Sequence, residues 1–168
     1  MAPQGGYTQA MRELPHTRSC FVCGEANPAG LRLRMETDGR RVVARWRPGP
    51  EHVGFAGTVH GGLISTVLDE LMVWACAVQT RRFAVCAELN VRFRKPVRPE
   101  QQIQVAAEFV GAQRQRIYEA RADLFDEAQQ VLASATGKYL PIPAGELDKF
   151  LADVVGDMAA WVDWAKPA

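Results

Sequence analysis

The chain has no surplus of one charge, few cysteines and histidines, and no long uninterrupted apolar run. Twenty basic residues face nineteen acidic ones, which removes the electrostatic footprint of a nucleic-acid or membrane-surface binder, so neither partner is expected. The four cysteines stand at positions 20, 23, 76 and 86, two of them inside apolar segments, and MAPQGGYTQAMREL lacks the basic start and apolar run of a secretory signal. A reducing, cytoplasmic setting is the expectation. No stretch offers about eighteen uninterrupted apolar residues, so no membrane span is expected. What is present is 168 residues, 48% hydrophobic and 23% charged, enough to bury one core in a single main domain.

Residues 1–18 mix Gly, Pro and polar types without a period and read as a flexible arm. LRLRMETDGRRVVARWRP alternates Leu31, Leu33 and Met35, turns at Asp38-Gly39, and alternates again at Val42, Ala44 and Trp46, the pattern of a hairpin with one wet face. A helix follows, starting near His60 and apolar around most of its circumference. Period two then returns at Phe83, Val85, Ala87, Leu89, Val91 and Phe93, and continues through Ile103–Phe109, Tyr118–Leu124 and Val131–Tyr139. This order predicts an α+β fold, a six-stranded antiparallel sheet curled around one long central helix, over residues 19–143. Residues 144–168 place Leu147, Leu151, Val154, Met158 and Trp161 at helical spacing, predicting a C-terminal amphipathic helix that packs on the domain or on a dimer partner.

The central helix carries Ser65, Thr66, Asp69 and Glu70 at three- and four-residue spacings, a polar stripe on an apolar cylinder. A carboxylate deprived of water needs partners, a cleft or a task. Glu70 lies about 100° round the helix from Asp69 and reads first as an interface or solvent residue and second as an auxiliary in the site. At the entrance, Gly61 and Gly62 leave backbone N–H groups open to a ligand where the helix dipole favours negative charge, which would suit an oxyanion. Eight residues separate Gly61 from Asp69, about 12 Å along the axis, so one helix does not easily place both on one carbonyl. Two antiparallel helices would, which predicts a homodimer with two interfacial sites.

GTVHGGLISTVLDE, with CFVCGEANPAGLRL before it and ELNVRFRKPV after it, resembles the hot-dog-fold acyl-CoA thioesterases of the phenylacetate-pathway (PaaI) type, over about Cys20 to Leu140. The resemblance implies that the Gly61 amide polarises a thioester carbonyl and that Asp69 acts as nucleophile or as general base for water. His60 either contacts substrate or stabilises the helix start through its own hydrogen bonds. Two positions depart from the pattern. Relatives often have Asn where this chain has Gly54, and Ser or Thr near Cys86, so both residues belong to the expected substrate site, together with Gly62, Thr66 and Glu70. Arg92, Arg94 and Lys95 form a solvated face that acyl-CoA phosphates would put to use. The expected function is acyl-CoA hydrolysis to free acid and CoA by a homodimer, or by a tetramer made of two dimers, without a cofactor. The alternatives are an acyl-CoA sensor without turnover and a hot-dog dehydratase or hydratase, for which His60 and Asp69 are not at the usual spacing.

Cys20-Phe-Val-Cys23 invites a metal reading, with His16 as a third ligand. A structural zinc needs four, and no second Cys pair or His cluster supplies the remainder, so the segment reads as a compact turn and no metal is expected.

Overall fold

The computed structural model describes residues 10–114 and 116–156. Short strands β1 (Arg12–Glu13) and β2 (His16–Thr17) lead to β3 (Met35–Thr37) and β4 (Arg41–Trp46). A 3₁₀ turn (Pro50–His52) and the small hairpin β5 (Val53–Phe55) and β6 (Thr58–Val59) deliver the chain to α1 (Gly61–Thr80). Then come β7 (Ala84–Phe93), β8 (Ile103–Gln113), β9 (Ile117–Asp126) and β10 (Val131–Pro141), followed by α2 (Ala144–Leu151) and β11 (Val154–Val155).

The main sheet has the order β1-β3-β4-β8-β9-β10-β7 and is antiparallel throughout. The six expected strands are all there. The seventh is β1, so residues 12–13 and 16–17 of the segment read as a loose arm are strand-paired, β1 to β3 and β2 to β11. The Asp38-Gly39 turn forms because the Asp38 carboxylate accepts the N–H groups of Arg40 and Arg41 at 2.9 and 2.7 Å, while Gly39 takes φ +84°, a conformation that glycine adopts without penalty. Leu33, Met35, Val42, Ala44 and Trp46 are buried as alternation requires, and Arg32, Arg34, Arg41, Arg45 and Arg47 line the wet face.

The sheet curls around α1, which packs on β4, β7, β8, β9 and β10. Although α1 is long and apolar enough to cross a membrane, ten of its residues, from Ile64 to Val78, lie in the core. It is a core helix, and the sheet is its solvent. Its C-terminus closes on Arg81 in the left-handed region at φ +59°, with the Arg81 N–H bonded to Ala77 O at 2.9 Å. The face of α1 bearing Glu70 and Trp74 is covered by residues 20–23.

The C-terminal segment differs from a single helix. α2 stops at Leu151, and Val154–Val155 pair with Thr17 and His16 as β11. Leu147, Phe150 and Leu151 pack against the core, whereas Met158 and Trp161 lie outside the described residues.

β7 is an edge strand, bonded only to β10 in the main sheet. Its period-two pattern is as expected, yet Val85, Leu89 and Phe93 are 55%, 37% and 52% exposed. The alternation that signals a buried face is present without anything among the described residues to cover it.

Candidate active site

α1 begins at a cap rather than at an open ligand contact on every N–H. His60 is its N-cap, and its Nδ1 accepts the Gly62 N–H at 2.9 Å. Leu63 N–H and Ile64 N–H return to the His60 carbonyl. The Gly61 N–H has no hydrogen-bond partner among the described residues, so of the two glycine amides Gly61 is the one left for a ligand and Gly62 is taken.

The glycines around His60 are tightly placed. A Cβ on Gly54 would lie 2.9 Å from His60 Cδ2 and 3.1 Å from its Cα, and one on Gly62 would lie 2.9 Å from His60 Nδ1. The departure to Gly54 therefore has a steric reason: the β5–β6 hairpin lies against the imidazole and leaves no room for an Asn. A Cβ on Gly61 would meet the Phe93 ring at 3.1 Å.

Gly54, His60, Gly61, Phe93, Arg94 and Lys95 line one pocket of about 600 Å³. This unites five of the sequence-predicted residues from α1, the β5–β6 hairpin and the end of β7. Arg94 Nε also donates to Ser134 Oγ at 3.2 Å. Arg92 and Cys86 stand exposed on β7 outside this pocket, and Thr66, Asp69 and Glu70, half-buried on α1, lie outside it too. A wider groove of about 1040 Å³ crosses the arginine-bearing outer face near Arg34 and Arg45 and holds none of the predicted site residues.

The polar stripe resolves into separate destinations. Ser65 and Thr66 hydroxyls donate back to Gly61 O and Gly62 O at 2.9 and 2.8 Å, so Thr66 serves its own helix. Asp69 faces the β10–β7 side, where the Tyr139 hydroxyl donates to its Oδ1 at 2.9 Å. Cys86 lies beside the same pair, as the cross-strand partner of Tyr139. Its thiol is pushed up to about 11 by lost hydration and then by the Asp69 charge. The Tyr139 hydroxyl is likewise raised, by burial first and then by Asp69, so it stays protonated and remains a donor.

Glu70 faces elsewhere. Its Oε1 receives the Cys23 thiol at 3.1 Å and Trp74 Nε1 at 3.3 Å, with Cys20 Sγ at 3.7 and 3.8 Å from its two oxygens. The interface-or-solvent reading of Glu70 is thereby corrected: the partners are thiols from 47 and 50 residues earlier in the chain. Burial pushes its carboxyl up to about 7, assisted by the Cys20 charge.

Tyr139 escaped the sequence reading. It sat in an apolar alternation as one more core residue, and only its hydroxyl, unlike the Val and Ala around it, hinted at a polar partner.

Comparison with known proteins gives one family-profile match and one fold. Residues 56–133 match the profile described as Thioesterase superfamily. Among solved structures, a thioesterase superfamily protein aligns at TM-score 0.66 and 21% identity, over 73% of this chain and 60% of that one, so this chain spans about three fifths of its length. The Escherichia coli PaaI protein of the phenylacetic acid degradation operon aligns at TM-score 0.63 and 17% identity, covering 71% and 86% of the two chains. A Streptococcus mutans protein bound to acetyl CoA aligns at TM-score 0.57 and 18% identity, covering 61% and 81%. No curated protein matches the sequence.

Proposed function

We propose that this chain, whose residues 56–133 match the thioesterase superfamily profile and whose hot-dog fold aligns with PaaI, hydrolyses acyl-CoA at two sites shared between the chains of a homodimer. The observation that carries this reading is the split preparation of α1: an unpartnered Gly61 N–H at its start, and Asp69 oriented by Tyr139 two turns later. At 1.5 Å per residue the two are about 12 Å apart along one axis, too far for one thioester carbonyl. A second α1 running antiparallel brings the partner's carboxylate to the open amide.

The exposed apolar side chains of β7 support pairing at that edge. Arg94 and Lys95, at the rim of the Gly61 pocket, suit the phosphates of CoA, and the acetyl CoA held by the Streptococcus mutans protein is in keeping with such a ligand. In the reaction, the Gly61 N–H stabilises the negative charge that develops on the thioester oxygen. The Asp69 oxygen left free by Tyr139 takes a proton from the attacking water or adds to the carbonyl itself, and CoA leaves as the thiol. Single turnover in heavy-oxygen water bears on the two routes: label in Asp69 marks an acyl anhydride opened at the protein's carbonyl, whereas label confined to the released acid fits attack of water on the thioester or on the acyl carbonyl of the anhydride.

Thiol release from short, medium, long and aryl acyl-CoAs tests the proposal, with Asp69→Ala and Asp69→Asn alongside. Equal rates from wild type and both variants would overturn the catalytic assignment. A wild type that binds acyl-CoA without releasing thiol would instead be a sensor, and hydration of enoyl-CoA without thiol release would mark a hydratase.

A further inference from the structure

Cys20, Cys23 and Glu70 form a donor cluster remote in sequence and adjacent in space, and the activity proposed above makes no use of it. All three ligand atoms lie within 4.8 Å of one another. A tetrahedral zinc with bonds of about 2.3 Å to sulfur and about 2.0–2.2 Å to oxygen sets neighbouring ligand atoms roughly 3.5–3.8 Å apart. Cys20 Sγ stands 3.7 and 3.8 Å from the Glu70 oxygens, and Cys23 Sγ 3.1 Å from Oε1. The Cys20–Glu70 separation thus already matches the bonded figure, the Cys23–Glu70 separation is a few tenths of an ångström inside it, and the two sulfurs lie within 4.8 Å of each other.

The loop carrying the thiols adds a second observation. The Val22 N–H donates to Cys20 Sγ at 3.2 Å. Amide donors aimed at sulfur favour the thiolate, the form that binds metal. The turn closes with Gly24 N–H on Cys20 O at 2.9 Å. A Cβ at Gly24 would lie 2.4 Å from Arg18 O and 2.5 Å from Cys20 O, so this tight C-x-x-C-G turn requires glycine there.

From this geometry we infer that Cys20, Cys23 and Glu70 bind a thiophilic divalent cation of the zinc class, with the fourth position open to water on the partly exposed Cys20 side. His16, the ligand that sequence spacing suggested, is not among them; its Nε2 pairs with Glu25. Binding displaces the thiol protons and joins residues 20–23 to the middle of α1, one residue from Asp69. Counting ligands along the sequence fell short because the third ligand comes from a different element.

Cobalt(II) titration of the reduced full chain tests the site without reference to thioester hydrolysis. The wild type should take up one equivalent and show a thiolate-to-cobalt charge-transfer band with visible d–d bands of tetrahedral intensity. Cys20→Ser and Cys23→Ser should each halve the charge-transfer band, and Cys76→Ser and Cys86→Ser should leave it unchanged. Glu70→Gln should keep the charge-transfer band and weaken affinity at least about tenfold. Zinc should raise the melting temperature of the wild type and not of either Cys20 or Cys23 variant. A wild type with all four thiols titratable after denaturation and no cobalt bands would overturn the site. So would bands that survive both substitutions, and unchanged affinity in Glu70→Gln would remove Glu70 from the ligand set.

Discussion

Asp69 and Glu70 are chain neighbours of like charge, yet one helical step of about 100° gives them different chemistry. Asp69 turns toward β10 and the open edge of the sheet, where the Tyr139 hydroxyl donates to one of its oxygens and the Cys86 thiol lies alongside. Glu70 turns under the Cys20–Gly24 loop, where two thiols and an indole surround it and burial draws its carboxyl toward neutrality. A carboxylate placed for turnover keeps a free oxygen near an opening, and one placed for binding or structure is enclosed by donors. The doublet therefore reads as two separate devices on one helix.

The sharpest way to break this contrast is to neutralise each residue alone. Asp69→Asn should lower kcat/KM for acyl-CoA by about 10²–10⁴, while Glu70→Gln should leave it within a few-fold; equal losses in steady-state assays would mean that the two share one site. Next in size is the edge strand. Leu89→Arg should shift the particle mass from dimer to monomer in light scattering, and hydrolysis should fall about 10²-fold as the Gly61 amide loses its opposing carboxylate. A monomer that retains full activity would confine the reaction to one chain.

Tyr139→Phe removes a hydrogen bond to a carboxylate, worth about 1.5–3 kcal/mol. The expectation is a fall of about tenfold or more in kcat with KM little changed, an effect that a merely structural hydroxyl would not confine to kcat. On the Glu70 side, the folded-state pKa of about 7 lies above the ordinary 4.5, so the folded protein retains a proton there that the unfolded chain gives up between these values. Stability contributed by this group is present below about pH 4.5 and is lost as pH rises toward 7. In chelator-treated protein, Glu70→Gln should flatten that part of the stability profile measured by chemical denaturation, and an unchanged slope would place Glu70 in water. The smallest effect belongs to the helix start: His60→Ala should cost about 1 kcal/mol through loss of the cap, read from the same denaturation curves.

Much of the fold could be read in advance because its signals are local. Leu31–Trp46 turned at Asp38-Gly39 since those residues carry the turn chemistry themselves, and the strands after Gln79 kept period two. The helix start announced itself through His60-Gly61-Gly62. What escaped depended on distant contacts. Nothing within residues 65–70 distinguishes a carboxylate facing Tyr139 from one facing Cys23, because the partners arrive from β10 and from the segment before β3. The Val154–Val155 strand looked like two more positions of an amphipathic helix, and pairing with His16 and Thr17 overrode that local preference. Gly54 looked like a missing side chain, whereas its emptiness is occupied by the imbricated ring of His60.

The cap at the start of α1 also fixes a tautomer. Because Nδ1 of His60 receives the Gly62 N–H, the ring proton of the neutral imidazole resides on Nε2. The ring nitrogen with a lone pair is spent on the helix, so His60 has no basic nitrogen left with which to draw a proton from carbon, the step a β-hydroxyacyl dehydration demands of its histidine. Toward anything in the Gly61 pocket it can act only as a donor, and the same bond that begins the helix narrows the chemistry the site can perform.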